Sequence, residues 1–206
     1  MHSAIAVANA FIARSIADRT RSLSPTKLHE LVYLAHGWHL ALTAQPLITG
    51  AVVAYRDGVM VPELRAQGCW GTHRAEELLS VFNPSTTSSG MIRSYVPQVP
   101  KDDPAQNTLA WVWNTYRNLT PYELTNLTRQ AGSPWDKIWH HPQRVRDEPY
   151  DIPSPLMRKW FGAEVKMHQY MQSRDPAGAA PAAAPAAGGD TPAHAGQPEH
   201  LSLRNV

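Results

Sequence analysis

The stretch over residues 28–48 is apolar on most faces at the spacing of an α-helix. Its apolar side chains recur three or four residues apart and also fill the flanking faces: Leu28, Leu31, Val32, Leu34, Ala35, Trp38, Leu40 and Leu42. A helix that is apolar on most of its surface has to be covered by other elements on several sides. Ser24 and Pro25 favour its start, because serine is a good capping residue and proline is tolerated in the first turn. The sequence therefore predicts a buried central helix over residues 25–44.

Capping residues stand directly before prolines at four further places in the chain. These pairs are Asp103-Pro104, Thr120-Pro121, Ser133-Pro134 and Ser154-Pro155. In each pair, proline supplies a helical φ and the preceding side chain can accept a hydrogen bond from a free backbone amide. Together with the apolar periodicity, the pairs predict helices over residues 4–19, 25–44, 62–68, 104–118, 121–130, 134–140 and 155–173.

Two short segments favour β-structure. Residues 51–55 are apolar and β-prone and end at the turn Arg56-Asp57-Gly58, while residues 91–96 alternate loosely between apolar and polar side chains. We expect these two segments to pair with each other. The predicted fold class is therefore mainly α: a single helical domain around the buried central helix, with a small β-hairpin.

The composition changes abruptly at residue 174. Alanine, proline and glycine dominate the sequence that follows, and such a segment cannot bury enough apolar surface to offset its chain entropy. We predict a helical domain over residues 1–173 and a disordered Ala/Pro/Gly-rich tail over residues 174–206.

Three features predict a cytoplasmic protein. The single cysteine, Cys69, permits no internal disulfide, which suits a reducing compartment. No apolar run approaches the roughly 20 residues that a membrane span needs. The first residues lack the basic and apolar regions of a signal peptide. We therefore expect no membrane association.

The central segment resembles the Panacea domain family of phage- and prophage-associated bacterial proteins. That family carries a run of the type Leu-x-Lys-Leu-Leu-Tyr-Tyr-Ala-x-Gly-Trp-x-Leu-Ala-x-x-Gly-x-Pro-Leu. The residues that match it here are Lys27, Leu28, Leu31, Val32, Tyr33, Ala35, Gly37, Trp38, Leu40, Ala41, Pro46 and Leu47. Later family features match Val53–Leu64, Tyr116, Thr120–Leu124, Leu127-Thr128 and Pro134-Trp135. The chain departs from the pattern at Asp57–Met60, which replaces a Gly-Pro-Val turn, and at Arg129, which replaces a histidine.

This resemblance implies an antitoxin that neutralises a cognate protein toxin, which we expect a neighbouring gene to encode. It leaves open whether neutralisation occurs by direct binding or by delivery of the toxin to a cellular protease. The family motifs imply a partner-binding region formed by Tyr55, Arg56, Val61, Leu64, Pro134 and Trp135. They also imply a structural core of the motif, formed by Leu28, Leu31, Tyr33 and Trp38.

The sequence offers no catalytic constellation and no metal-binding pattern. His36 and His39 lie three residues apart on the central helix, but no Cys, Asp or Glu stands nearby at ligand spacing. We interpret both as histidines of a packed helix. Phosphate-binding loops, nucleophile elbows and dinucleotide-binding fingerprints are also missing from the sequence. We therefore expect no enzymatic activity, no cofactor and no bound metal.

A DNA-binding transcriptional regulator of a phage or prophage operon is the alternative interpretation. Basic residues are interleaved with aromatic ones along the chain, as a nucleic-acid-binding face requires. The net charge of the whole chain is only +2, however. The last 32 residues carry a net charge of −2, so the rest of the chain carries +4. That balance is far from the basic surface of a dedicated DNA-binding domain. Nucleic acid is therefore the less favoured partner.

Deleting residues 175–206 should leave the thermal midpoint nearly unchanged, because a segment without a packed core adds little to the free energy of unfolding. The measurement is a thermal melt of the full chain beside the shortened one. In a domain of this size each kcal/mol moves the midpoint by about 2–4 °C, so a drop of many degrees would show that the tail packs on the body.

Overall fold

The chain forms a mainly helical fold, as the sequence predicts. The structure is a computed structural model and describes residues 1–20, 23–68, 77–83, 93–143, 145 and 148–174. Its elements follow in the order α1 (Ala4–Ala17), α2 (Pro25–Thr43), β1 (Val53–Tyr55), β2 (Gly58–Met60), α3 (Pro62–Ala66), β3 (Val81–Asn83), β4 (Arg93–Tyr95), α4 (Ala105–Tyr116), α5 (Pro121–Thr128), α6 (Pro134–Trp139), β5 (Tyr150–Asp151) and α7 (Ser154–Arg174). Cys69 and residues 175–206 of the predicted tail lie outside the described residues.

Helix α2 is the centre around which the other elements pack. It contacts α7 most extensively and also touches α1, α4, α5 and β2. Leu28, Leu31 and Tyr33 on this helix are fully buried. The apolar residues on several faces of α2 are thus covered from several directions, which accounts for the absence of a single apolar stripe in this segment.

Side-chain caps form at three of the predicted helix starts, those of α2, α5 and α6, whereas α7 begins at Ser154 itself and not after it. At Ser24 and Ser133 the hydroxyl oxygen accepts a hydrogen bond from the backbone N–H three residues on, at 3.2 and 3.1 Å. Thr120 and Glu123 form a complete capping box, in which each side chain accepts from the other residue's backbone N–H. Asp103 accepts from the N–H of Ala105 at 2.8 Å. These local interactions explain why the helix starts could be predicted from sequence.

The predicted strand pairing is wrong. Strand β1 pairs antiparallel with β2 through the tight turn Arg56-Asp57, and its other edge pairs with β5. Strand β4, inside the predicted segment 91–96, pairs instead with β3. Residues 91 and 92 lie outside the described residues. Closing the two-residue turn between β1 and β2 costs less chain entropy than closing the long loop between residues 55 and 91. Strand β5 occupies the other edge of β1.

Helices α2 and α7 come closest at Gly37 and Phe161. A Cβ atom added at Gly37 would lie 2.0 Å from Cε2 of Phe161, so only glycine permits this approach. The Phe161 ring is fully buried and meets the rings of Tyr33, Trp38 and Trp160 edge-on, with centroids 5.6, 5.3 and 4.7 Å away. The two helices are therefore joined by an aromatic cluster that centres on one phenylalanine.

Trp38 lies at the margin of the core and is not fully buried. Its ring packs on Trp111 at a centroid distance of 4.8 Å, and its indole N–H donates to the Tyr116 hydroxyl at 3.1 Å. Trp111 itself is 39% exposed. Trp38, which the family motifs place in the structural core, is therefore partly buried and packs against that core from its margin.

Gly37→Ala should lower the free energy of unfolding by about 1–3 kcal/mol, although alanine favours a helix, because the added methyl group overpacks a site that Phe161 already fills. Gly162→Ala is the matched control. It lies on α7 with no heavy atom within 4 Å of the Cβ position, so there the same change should stabilise by about 0.5–1 kcal/mol. Urea denaturation measures both changes. Equal shifts in the two variants would show that the helices do not meet at Gly37.

Candidate protein-interaction site

The structure brings the β1–β2 turn and the start of α6 together, as the family motifs imply. The indole N–H of Trp135 donates to the backbone carbonyl of Tyr55 at 2.9 Å. The Trp135 ring stacks on Trp139 at 5.5 Å with an interplanar angle of 16°. The guanidinium carbon of Arg129 lies 4.3 Å from the centroid of the Trp135 ring. This is a cation–π contact. Arg129, which stands where the resembled family has a histidine, therefore takes part in the packing around Trp135.

Four of the six candidate contact residues are buried in the structure. Val61 and Leu64 are 0% exposed, Trp135 is 1% exposed, and Pro134 is also buried. A partner that docks on this conformation cannot touch these side chains. Of these four residues, Trp135 binds the backbone of the turn directly, at the Tyr55 carbonyl.

The remaining two candidates are accessible. The side chain of Arg56 is 63% exposed and lies 3.5 Å from the carboxylate of Asp57, itself 65% exposed. Tyr55 is half-buried, and the guanidinium carbon of Arg65 lies 5.6 Å from the centroid of its ring. The accessible part of this region is therefore the charged turn Arg56-Asp57 with the edge of Tyr55.

This turn borders a concave surface. A depression of about 300 Å³ opens between the turn and the first turns of α2, lined by Pro25, Thr26, His29, Tyr55, Asp57, Gly58, Val59 and Met60. The turn thus presents both a charged projection and an adjacent hollow.

A buried carboxyl group lies beneath the turn. Glu30 is 1% exposed, and its Oε1 accepts from the Thr125 hydroxyl at 3.1 Å. Gly58 passes directly above it: a Cβ atom there would lie 3.1 Å from Glu30 Oε1, and the Gly58 φ of +133° also favours glycine. Burial raises the pKa of Glu30 to about 8, although the hydroxyl groups of Thr128 and Thr125 and the charge of Arg129 lower it. Glu30 is therefore mainly protonated at neutral pH.

Two histidines of α2, His29 and His36, accept hydrogen bonds from backbone amides. Nδ1 of His36 accepts from the N–H groups of Leu47 and Ile48 at 3.2 and 3.4 Å, and Nδ1 of His29 accepts from the N–H of Val61 at 3.0 Å. Since a backbone N–H can only donate, both Nδ1 atoms lack a proton in this arrangement. Burial and the neighbouring His39 lower the pKa of His36 to about 4. These histidines fix loops to the central helix.

Within the described ranges, no three His, Cys, Asp or Glu side chains are grouped so that they could hold a metal ion. His39, the second residue of the pair considered from sequence, contacts the Thr108 hydroxyl through Nδ1 at 3.2 Å. In the part of the chain that the structure describes, no helix combines the length and apolar character needed to cross a membrane.

Comparison with known proteins finds a distant similarity. The chain is 23% identical over 135 residues to Antitoxin SocA of Caulobacter vibrioides (strain NA1000 / CB15N), an alignment that covers 64% of this chain and 70% of that protein. No protein-family model matches the chain, so membership of the Panacea domain family stays a prediction. No solved structure matches it. The similarity supports an antitoxin-like relationship and is consistent with a non-enzymatic protein.

Glu30→Gln should change how stability depends on pH. Unfolded Glu30 has a pKa near 4.5 and folded Glu30 near 8, so the folded chain holds the proton that the unfolded chain releases between these values. The free energy of unfolding should therefore fall from about pH 4.5 to about pH 8 because of this group, and glutamine should remove that fall. Thermal melts of both proteins at pH 5.5 and 8.5 test this. The variant should gain relative to the natural protein at the higher pH, and parallel pH profiles would contradict the assignment.

Proposed function

We propose that this chain is an antitoxin-like protein that binds a cognate protein toxin and neutralises it. The similarity to Antitoxin SocA carries the proposal, since it extends over 135 residues and 70% of that protein. The same alignment spans 64% of this chain, which exceeds what one motif or one helix would produce. An antitoxin requires a protein-binding surface and no active site.

The exposed turn Arg56-Asp57 supplies the proposed contact surface. It is fixed from below, because Trp135 binds the Tyr55 carbonyl and Gly58 rests over Glu30. A turn that is held in one shape before binding loses less conformational entropy on association than a free one. Arginine is also enriched among the residues that dominate binding energies at protein interfaces. In this proposal Arg56 and Tyr55 contact the toxin, while Val61, Leu64, Pro134 and Trp135 act through the fold.

Two routes to neutralisation share this binding step. Direct binding blocks the toxin while its amount stays constant. Delivery to a cellular protease requires the same contact and then removes the toxin. The cellular level of the toxin during co-expression distinguishes the two routes.

Co-expression with the product of a neighbouring reading frame tests the proposed function, in a host that this product kills. The natural protein should restore growth. Arg56→Glu should abolish rescue because it reverses the charge of the turn without touching the core. Lys101→Glu, an equal charge reversal at another exposed position, should retain rescue. Circular dichroism and thermal melts confirm that both variants are folded.

Two results would overturn this proposal. Rescue that survives Arg56→Glu would move the contact away from the turn. Failure to neutralise any neighbouring product, together with a sequence-specific and salt-sensitive shift of promoter DNA, would assign the chain to the regulators.

A further inference from the structure

A second concave surface lies at the other end of α2. A groove of about 950 Å³ opens between the C-terminal part of α2 and the first half of α7. Most of its lining is apolar or small: Leu40, Ala41, Ala44, Pro46, Pro155, Gly162, Ala163 and Val165. Small residues on both helices keep the groove open. At Gly162 no heavy atom lies within 4 Å of the position that a Cβ would occupy.

The charges of the groove are all positive. Arg158 and Lys159 line it and are exposed, and no acidic residue contributes to the lining. Neither cation forms an ion pair with any residue that the structure describes. Glu164 of α7 is not among the residues that line the groove, and its charge raises the pKa of Tyr116 on α4. The groove therefore combines an apolar floor with two available cations.

We propose that this groove binds an acidic, amphipathic segment of the protein partner. Apolar side chains of that segment would enter between the two helices, and its carboxylates would meet Arg158 and Lys159. An apolar floor between helices is the usual site for an amphipathic segment. A positive rim favours acidic sequences and rejects basic ones, because like charges across an interface are costly. The proposal rests on the proposed function only in naming the partner as the toxin.

Synthetic peptides test the groove without any knowledge of the toxin. One fluorescent probe is an amphipathic peptide of leucine and glutamate, and its control has lysine in place of every glutamate. Fluorescence anisotropy on the full chain should show the acidic probe binding about tenfold or more tightly than the basic one, with the difference shrinking as salt rises.

Two variants locate the binding. Gly162→Trp should fill the groove and abolish binding of the acidic probe, whereas Gly162→Ala, the matched control, should leave it nearly unchanged. The double variant Arg158→Glu/Lys159→Glu should reverse the preference between the two probes, and it leaves the apolar floor intact. Equal binding of both probes, or unchanged binding to Gly162→Trp, would overturn the proposal. A concentration-dependent increase in mass that Gly162→Trp removes would also overturn it, by assigning the groove to a second copy of the chain.

The co-expression assay separates failure here from failure of the proposed function. Rescue by the natural protein together with loss of rescue in folded Gly162→Trp would support the groove as a toxin contact. Rescue that both proteins provide equally would overturn the groove as a toxin contact and leave the antitoxin-like function standing.

Discussion

The close approach of α2 and α7 at Gly37 and Phe161 is the contact on which the architecture depends. It brings two long helices together where only a hydrogen atom separates the α2 backbone from an aromatic ring. Phe161 then gathers Tyr33, Trp38 and Trp160 into one cluster. The helices lie close together at this crossing. Beyond it the small side chains of Ala41 on α2 and of Gly162 and Ala163 on α7 do not fill the space between the helices, which leaves a groove.

Polar groups on the central helix α2 determine where the connecting segments lie. His36 binds the amides of Leu47 and Ile48 after α2, and His29 binds the amide of Val61 after β2. Glu30 accepts a hydrogen bond from the hydroxyl group of Thr125 on α5. An apolar helix could bury hydrophobic surface in several orientations, whereas each of these bonds needs one particular neighbour. We infer that these buried groups select one arrangement of loops around α2.

The parts of the fold that depend on neighbouring residues could be predicted from sequence. The caps at Ser24, Thr120 and Ser133 lie beside the helices they start, so their chemistry is visible in a few letters. Strand pairing is not local. Strand β5 pairs with β1 although about a hundred residues separate them in the sequence, and no local sequence pattern predicts this pairing. At the candidate site, Arg56 was identifiable as a charged turn residue. The sequence alone could not show whether Val61 and Leu64 are core residues or contact residues, because an apolar side chain beside a turn is expected in both.

The two proposed contacts lie at opposite ends of one rigid element. The turn site borders His29 and the groove borders Ala41, so about 18 Å of helix separates them at 1.5 Å per residue. When one contact forms, the other partner segment is held near its own site at high effective concentration, so two modest contacts can give tight binding. Specificity follows from the same geometry, since a protein that offers only one of the two segments, or offers both at another spacing, gains nothing from the second site. A rigid α2, fixed along its length by Gly37, His29 and His36, is what would keep that spacing constant.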